Sequence, residues 1–154
     1  MTIRLSPMLL IAATASALCA CASAPSNELR LIAVAGAPKA AVPYSQGVVA
    51  NGLLFTAATV PRDPVTNNFA QGDMTVQAQR VFDNLEAIVT GAGATLKDVV
   101  KVTVYMADLA EFSKVNDVMA ARFGEHKPAR STLQVAKIPG GAPLAIDLIA
   151  RVPQ

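Results

Sequence analysis

Residues 127–135 read KPARSTLQV and residues 144–152 read LAIDLIARV, and these two extended segments complete the predicted sheet. Arg130 opens the first segment, and Asp147 lies in the middle of the second. The guanidinium of an arginine offers a planar fork of donors that suits a substrate carboxylate, and an acid on a neighbouring strand can hold or activate a water beside it. The two segments therefore predict a site in which Arg130 and Asp147 lie close together.

The first part of the folded region predicts three strands. Residues 29–34 form an apolar run that is typical of a strand. Two further apolar runs, residues 47–50 and 53–60, are separated by Asn51-Gly52, which is the strongest short-range signal for a β-hairpin. The loop before this hairpin contains two prolines and a glycine, and it delivers Tyr44.

Two helices and a strand follow the hairpin. Apolar side chains recur at helical spacing over residues 73–90, where Asp73 can cap the first free amides. A capping-box spacing, Asp108 to Glu111, predicts a second helix over residues 108–123. Between the helices, residues 99–106 alternate and predict a strand with one buried face, formed by Val100, Val102, Val104 and Met106.

The order strand, hairpin, helix, strand, helix, strand, strand predicts the α+β class. Two helices then cover one face of a single mixed sheet. Apolar residues occur on both sides of several strands, so an oligomer is expected to cover the other face.

Composition excludes several classes of function. The chain has 154 residues, enough for one domain, with a net charge of only +2 and no tryptophan. A basic face or a stacking platform for nucleic acid is therefore not expected. Both cysteines lie near the N-terminus and His126 is the only histidine, so no metal site is predicted. His126 lies in a loop beside Lys127 and is expected to be exposed.

The N-terminus predicts export. Residues 1–20 have the pattern of a lipoprotein-type signal peptide, residues 21–27 form a short tether, and residues 28–154 form the folded domain. The sequence Leu18-Cys19-Ala20-Cys21 resembles a bacterial lipobox with Cys21 as the lipidated residue. A plain cleaved signal and a retained anchor are the alternatives. The expected location is the periplasmic side of the cell envelope, with the membrane contacted only through the lipid on Cys21.

Several dispersed motifs resemble the Rid family, also called YjgF, of imine and enamine deaminases. They occur in the family's order over about residues 31–152: Ala37-Pro38, Pro43-Tyr44-Ser45-Gln46-Gly47, Phe55-Thr56, Asp63-Pro64, Asn84-Leu85, Asp98 to Tyr105, Phe112, Val115-Asn116 and Pro128-Ala129-Arg130-Ser131. The resemblance implies a chorismate-mutase-like fold and a homotrimer with active sites between subunits. It also implies hydrolysis of small 2-imino or 2-aminoacrylate acids to 2-keto acids and ammonia, without a metal or organic cofactor.

The resemblance also assigns roles to individual residues. Arg130 matches the arginine that binds the substrate carboxylate, and the backbone at Ser131 and Thr132 matches the segment whose carbonyl helps to hold the hydrolytic water. Tyr44 matches the tyrosine presented to the site. Asp147 falls where deaminase members usually carry the glutamate that positions this water.

Two positions differ from the family pattern. Asp147 is one methylene shorter than glutamate, and Ala57-Ala58-Thr59 replaces Ser-Gly-Gln, with Ala58 expected at the substrate. Two alternatives follow from the residues alone: Asp147 is an acid on an edge strand, and Tyr44 is a packing residue. At the level of the whole chain, the alternative to the enzyme is a non-catalytic trimer that binds small carboxylates or a protein in the same cleft.

Overall fold

The computed structural model of the protein describes residues 29–40 and 42–153. Within them, a six-stranded sheet packs against two α-helices, which confirms the predicted α+β class. The elements are β1 (Arg30–Ile32), β2 (Gly47–Ala50), β3 (Leu53–Thr56), α1 (Met74–Gly91), β4 (Val99–Met106), α2 (Phe112–Phe123), β5 (Ala129–Gln134) and β6 (Leu144–Arg151). The predicted signal peptide, the tether and Cys21 lie outside the described residues. None of the described helices has the length and apolarity needed to cross a bilayer.

The predicted hairpin is confirmed, but its second strand is shorter than expected. Asn51 and Gly52 both adopt positive φ, 50° and 75°, as the tight turn between β2 and β3 requires. β3 ends at Thr56, although the amide of Ala57 still donates to the carbonyl of Gln46 directly across the hairpin at 2.9 Å. The chain returns to the sheet only at Thr59, which bridges to β6.

Helix α1 forms as its apolar spacing predicts. Asp73 caps it by accepting a hydrogen bond from the amide of Val76 at 3.2 Å. Its apolar side chains are buried against the sheet, and the Phe82 ring meets the Phe123 ring of α2 edge-on, with centroids 5.8 Å apart. Arg122 of α2 joins the two helices outside the core through ion pairs with Asp83 and Glu86.

The strand order in the described sheet is β1-β2-β3-β6-β4-β5. All neighbours are antiparallel except β4 and β5, which are parallel and are connected through α2. β6 is thus an interior strand, so the alternative that Asp147 lies on an edge strand is wrong. β5 and β6 are not neighbours either, because β4 lies between them.

Strand β4 follows the predicted alternation from Lys101 onward, but not before it. A bulge between Val99 and Lys101 shifts the register with β6, so Val99 is fully buried and Val100 is 49% exposed. The prediction that Val100 belongs to the buried face is therefore wrong. Val102, Val104 and Met106 are buried as expected.

The two faces of the sheet differ in their cover. One face carries the core beneath α1 and α2, with Leu54, Val102, Ile146 and Leu148 almost completely buried. The other face, called the open face here, presents Lys101, Thr103 and Tyr105 of β4, and the strand neighbours that pair with them. In this single chain the open face leaves Leu31, Phe55 and Leu133 exposed at 66%, 43% and 45%.

Candidate active site

Arg130 lies on the edge strand β5 and projects toward helix α2. Its register opposite Val102 puts it on the helix-covered face, where a side chain at the edge reaches past the core to solvent. The guanidinium donates to the amide oxygen of Asn116 and lies 5.1 Å from the ring centroid of Phe112. Two neutral groups of α2 therefore orient the arginine without neutralising its charge.

Ser131 and Thr132 follow Arg130 on opposite faces of β5. The hydroxyl of Ser131 accepts a hydrogen bond from the ammonium of Lys101 at 2.8 Å on the open face. The hydroxyl oxygen of Thr132 is buried, and no described group is within hydrogen-bond reach of it. The Thr132 hydroxyl is thus an unsatisfied polar group next to Arg130, and such groups are rare in protein interiors.

A groove runs from Arg130 along the end of α2. Its lining includes Asn116, Met119, Phe123, His126, Lys127 and Arg130, and we call it the arginine groove. His126 is half-buried rather than exposed, which corrects the sequence expectation: its Nε2 lies 2.6 Å from the carbonyl oxygen of Val99. The chain after α2 folds back across the start of β4, and this brings the histidine against the strand.

Tyr44 and Ala58 lie in a different cleft. Its volume is about 170 Å³, and its lining includes Lys39, Tyr44, Gln46, Ala57, Ala58 and Arg62; we call it the tyrosine cleft. Tyr44 is 51% exposed, so the described chain does not use it as a core packing residue. Ala57 and Ala58 give this cleft a wall of methyl groups.

Gln46 holds the loop that forms one side of the tyrosine cleft. The side chain is 6% exposed, and its amide nitrogen donates to the carbonyl oxygens of Ala37 and Pro38 at 3.1 and 2.9 Å. Its amide oxygen accepts from the backbone amide of Val34 at 2.6 Å. One buried amide thus satisfies backbone groups on both sides of the loop, which fixes the segment that precedes Tyr44.

Asp147 lies on the open face, diagonally opposite Tyr105 of β4. Hydrogen bonding to the Asp147 carboxylate raises the pKa of the Tyr105 hydroxyl, and burial and the negative charge of Asp147 add to the rise. Asp147 pairs with Thr103 across the two strands. Two contacts hold this part of β6 beside Ala57 and Ala58. One is the bridge between Thr59 and Ile146, and the other is the hydrogen bond that the Leu148 amide donates to the Thr56 hydroxyl.

Arg130 and Asp147 are not brought together within one chain. Arg130 is level with Val102 and Asp147 is level with Thr103, and consecutive residues of a strand point to opposite faces. Within one chain the two side chains therefore do not share a site, and their predicted pairing stays a prediction for neighbouring copies. The chain instead presents these residues at three places: Arg130 beside α2, Tyr44 and Ala58 in the tyrosine cleft, and Asp147 on the open face of β6.

Metal ligation has no support in the part of the chain that the structure describes. Residues 29–40 and 42–153 contain no cluster of three or more His, Cys, Asp or Glu side chains that could hold an ion.

Comparison with known proteins identifies the family. The sequence profile described as endoribonuclease L-PSP matches residues 34–152. The chain belongs to this family, the YjgF or Rid proteins. It is 44% identical to a RutC family protein of Pyrococcus abyssi over 74% of this chain and 90% of that protein. It is 40% identical to the 2-iminobutanoate/2-iminopropanoate deaminase of Salmonella typhimurium over 79% of this chain and 96% of that protein.

Solved structures agree with this assignment. The crystal structure of Escherichia coli TdcF with bound serine superposes on the chain with a TM-score of 0.77 at 36% sequence identity. The match covers 80% of this chain and 99% of TdcF. The Rid fold therefore extends over nearly all the described residues.

Sequence reasoning did not assign Phe112 and Asn116 of this Rid-family chain to the site. Both belong to the motif that carries the resemblance, which assigns neither of them a role in the site. Their contribution depends on where α2 crosses the edge of the sheet, which helical spacing alone does not determine. The signal available was polarity: Asn116 follows the buried Val115 on a helix and keeps its amide exposed toward β5.

The contact between Tyr105 and Asp147 is testable by titration. The sequence has two tyrosines, so Tyr44→Phe leaves Tyr105 as the only phenol that titrates. In that background, we expect Asp147→Asn to lower the pKa of Tyr105 toward its ordinary value of about 10. The ultraviolet absorbance of tyrosinate measures this, and Asp117→Asn, an exposed acid on α2, is the matched control.

The same contact has a consequence for stability. The pKa of Tyr105 is raised in the folded chain. The contribution of Tyr105 to the free energy of unfolding is therefore fully present below the ordinary pKa of a tyrosine, and it is lost as pH rises through the pKa in the folded chain. An unchanged pKa of Tyr105 in the Asp147→Asn chain would show that Asp147 is not its partner.

Proposed function

We propose that the protein hydrolyses reactive 2-imino or 2-aminoacrylate acids to 2-keto acids and ammonia. The observation that carries this proposal is the setting of Arg130. Its guanidinium is exposed to solvent, oriented by Asn116 and Phe112, and not within ion-pair distance of any carboxylate in the described residues. A planar cation held in this way suits bidentate binding of a substrate carboxylate.

Two relatives support the substrate class. The Salmonella relative carries the name of a deaminase of 2-iminobutanoate and 2-iminopropanoate. The TdcF structure contains serine, which is a small 2-amino carboxylic acid. These imino acids and serine each have a carboxylate next to a carbon that bears nitrogen. The carboxylate is the group that Arg130 would hold in this chain.

The chemistry needs little beyond orientation and one placed water. Once its nitrogen is protonated, the imine carbon is electrophilic, and the oxygen of water bonds to it. Both protons of the water pass to the nitrogen, the carbon–nitrogen bond breaks, and the nitrogen leaves as ammonium, the protonated form of ammonia, so that a keto acid remains. Arg130 fixes the plane of the substrate, and Asp147 and the backbone at Thr132 hold the water.

A second copy of the chain completes the site. Arg130 projects on the helix-covered side at one sheet edge, whereas Tyr44 and Ala58 line the tyrosine cleft and Asp147 lies on the open face of β6. We call Arg130 with α2 the arginine half-site, and Tyr44, Ala58 and Asp147 together the other half-site. Apolar side chains on the open face, Leu31, Phe55 and Leu133, provide a surface for self-association. The assembly we propose is a homotrimer in which the arginine half-site of one copy faces the other half-site of the next.

A nuclease reaction is not part of this proposal, although the family description carries that name. The net charge is +2, and Arg80, Arg122 and Arg151 are each paired with carboxylates. Binding of nucleic acid relies on many cations that neutralise phosphates.

The location that we propose is the periplasmic side of the cell envelope, with lipid on Cys21. The proposal rests on the sequence of the N-terminus alone, where Cys21 ends a lipobox-like pattern behind an apolar stretch. Substrate would then reach the protein outside the cytoplasm.

Arg130→Ala is the first test of the enzyme. Loss of a charge-assisted contact costs roughly 1.5–3 kcal/mol, so we expect kcat/KM to fall about 10- to 100-fold. The assay measures 2-keto acid formed from 2-iminobutanoate that a dehydratase generates in place. Arg151→Ala, an exposed arginine paired with Asp98 outside both half-sites, should keep the wild-type rate. Ligand binding to wild type without turnover would favour the non-catalytic trimer instead.

Mixed assembly tests whether two copies share a site. We expect Arg130→Ala and Asp147→Ala chains each to keep at most about a tenth of the wild-type activity alone, because each lacks one half-site. When the two chains are co-expressed and assemble at random, about a quarter of the interfaces combine two intact halves, so activity should return to about that fraction. Mixing the two purified oligomers without exchange of subunits is the control. Continued inactivity of the co-assembled protein would contradict a shared site.

Labelling with a palmitate analogue tests the envelope anchor. We expect the full-length chain to incorporate the label in bacterial cells and Cys21→Ser to lose it, because the thiol of Cys21 is the proposed acceptor. Cys19→Ser is the matched control, since it removes the neighbouring thiol and leaves Cys21. Labelling that persists in Cys21→Ser would refute this acceptor.

A further inference from the structure

The tyrosine cleft carries positive charge that deamination of a 2-imino acid with a small neutral side chain does not need. Lys39 and Arg62 both line it beside Tyr44 and Ala58, and no acidic residue lines it. Within residues 29–40 and 42–153, neither cation has a carboxylate within 4.0 Å. An anion that enters the cleft therefore meets no carboxylate among the residues that line it.

Arg62 is held in place by neutral groups. Its guanidinium stacks on the Phe69 ring at 4.1 Å from the centroid, and its Nη1 donates to the backbone carbonyl of Asn67 at 2.6 Å. A Cβ at Gly140 would lie only 3.0 Å from Nη2, so a glycine leaves room for the guanidinium there. The arginine is thus oriented and keeps its charge.

The acid closest to Arg62 in the sequence is turned away from the cleft. Asp63 accepts hydrogen bonds from the amides of Val65 and Thr66 at 3.0 and 2.8 Å, and its other oxygen lies 3.8 Å from Arg80. The carboxylate is therefore used in closing its own turn and in an ion pair with α1. The negative charge of Asp63 therefore lies outside the cleft, whereas Arg62 lines it.

We propose that the preferred substrates are 2-imino acids with a second carboxylate, such as iminosuccinate and 2-iminoglutarate. This inference rests on the proposed deamination, in which Arg130 of one copy holds the carboxylate next to the imine. The side-chain carboxylate then extends into the tyrosine cleft of the neighbouring copy, where Lys39 and Arg62 bind it through charge-assisted hydrogen bonds. The methyl groups of Ala57 and Ala58 form the wall along its methylene chain.

The reaction is the same hydrolysis. The oxygen of water bonds to the imine carbon, the carbon–nitrogen bond breaks, and ammonia leaves, so no electrons are transferred. The products are a 2-keto dicarboxylate and ammonia. The reaction that supplies the substrate would be the oxidation of an acidic amino acid to its imine.

Lys39→Met tests the preference, because it removes the charge at an exposed position and keeps the length of the side chain. An amino-acid oxidase generates iminosuccinate, 2-iminoglutarate and the neutral 2-iminopropanoate in place, and kcat/KM is measured for each. We expect wild type to favour the two dicarboxylic imines. Lys39→Met should lower kcat/KM for them about 10-fold, since one charged contact is lost, and should lower it clearly less for 2-iminopropanoate.

The controls separate this inference from the proposed function. Lys97→Met removes an exposed lysine outside both half-sites and should change none of the three rates. Lys39→Glu should reverse the preference, and the wild-type preference should weaken as ionic strength rises. Turnover of 2-iminopropanoate with no preference for the dicarboxylic imines, or an equal loss for all three in Lys39→Met, would overturn the inference alone. Failure to accelerate any imine would overturn the deaminase proposal, and this inference with it.

Discussion

The pleat of β4 is the constraint on which the site depends. This strand pairs with β5 on one side and β6 on the other, so its two-residue period fixes the direction of every side chain on both neighbours. Val102 sets Arg130 on the helix-covered face, and Thr103 sets Asp147 on the open face. A change of side-chain rotamer cannot bring Arg130 and Asp147 together, because the sheet lies between them. A site that uses both groups must therefore combine two copies of the chain.

The parts of the fold that depend on local chemistry could be predicted from the sequence. Asn51-Gly52 specifies its own turn, and the apolar stripe of α1 specifies the face that is buried. Strand order could not be predicted in this way. The segments that carry Arg130 and Asp147 are consecutive in sequence, which suggested that they pair, but the parallel crossover through α2 sends β5 to the far side of β4. Alternation along a strand identifies the two faces of the strand but not its neighbours in the sheet. It also does not reveal the bulge at Val100, where the alternation is interrupted.

The residues of the candidate site also fall into those that local sequence identifies and those that depend on packing between elements. Arg130, Tyr44 and Ala58 could be named from motifs, because each motif lies in one short segment. Asn116 and Phe112 act on Arg130 from another element, and their role follows from the crossing of α2 over the sheet edge. His126 shows the opposite error. A histidine in a short polar loop predicts exposure, yet the loop packs against β4 and gives its ring the carbonyl of Val99 as a partner.

Arg130 and Arg62 share a mode of support that separates them from most arginines of the described chain. Arg80, Arg122 and Arg151 have carboxylate partners, which neutralise their charge at the surface. Arg130 and Arg62 each have an aromatic ring and an amide oxygen instead, and Arg30, held by the carbonyl of Ala92, lies in neither half-site. A ring face and a neutral acceptor restrict a guanidinium while leaving its charge for a ligand, whereas a carboxylate partner would compete with an anionic substrate. One such arginine in each half-site is the arrangement that a substrate with a carboxylate at each end requires.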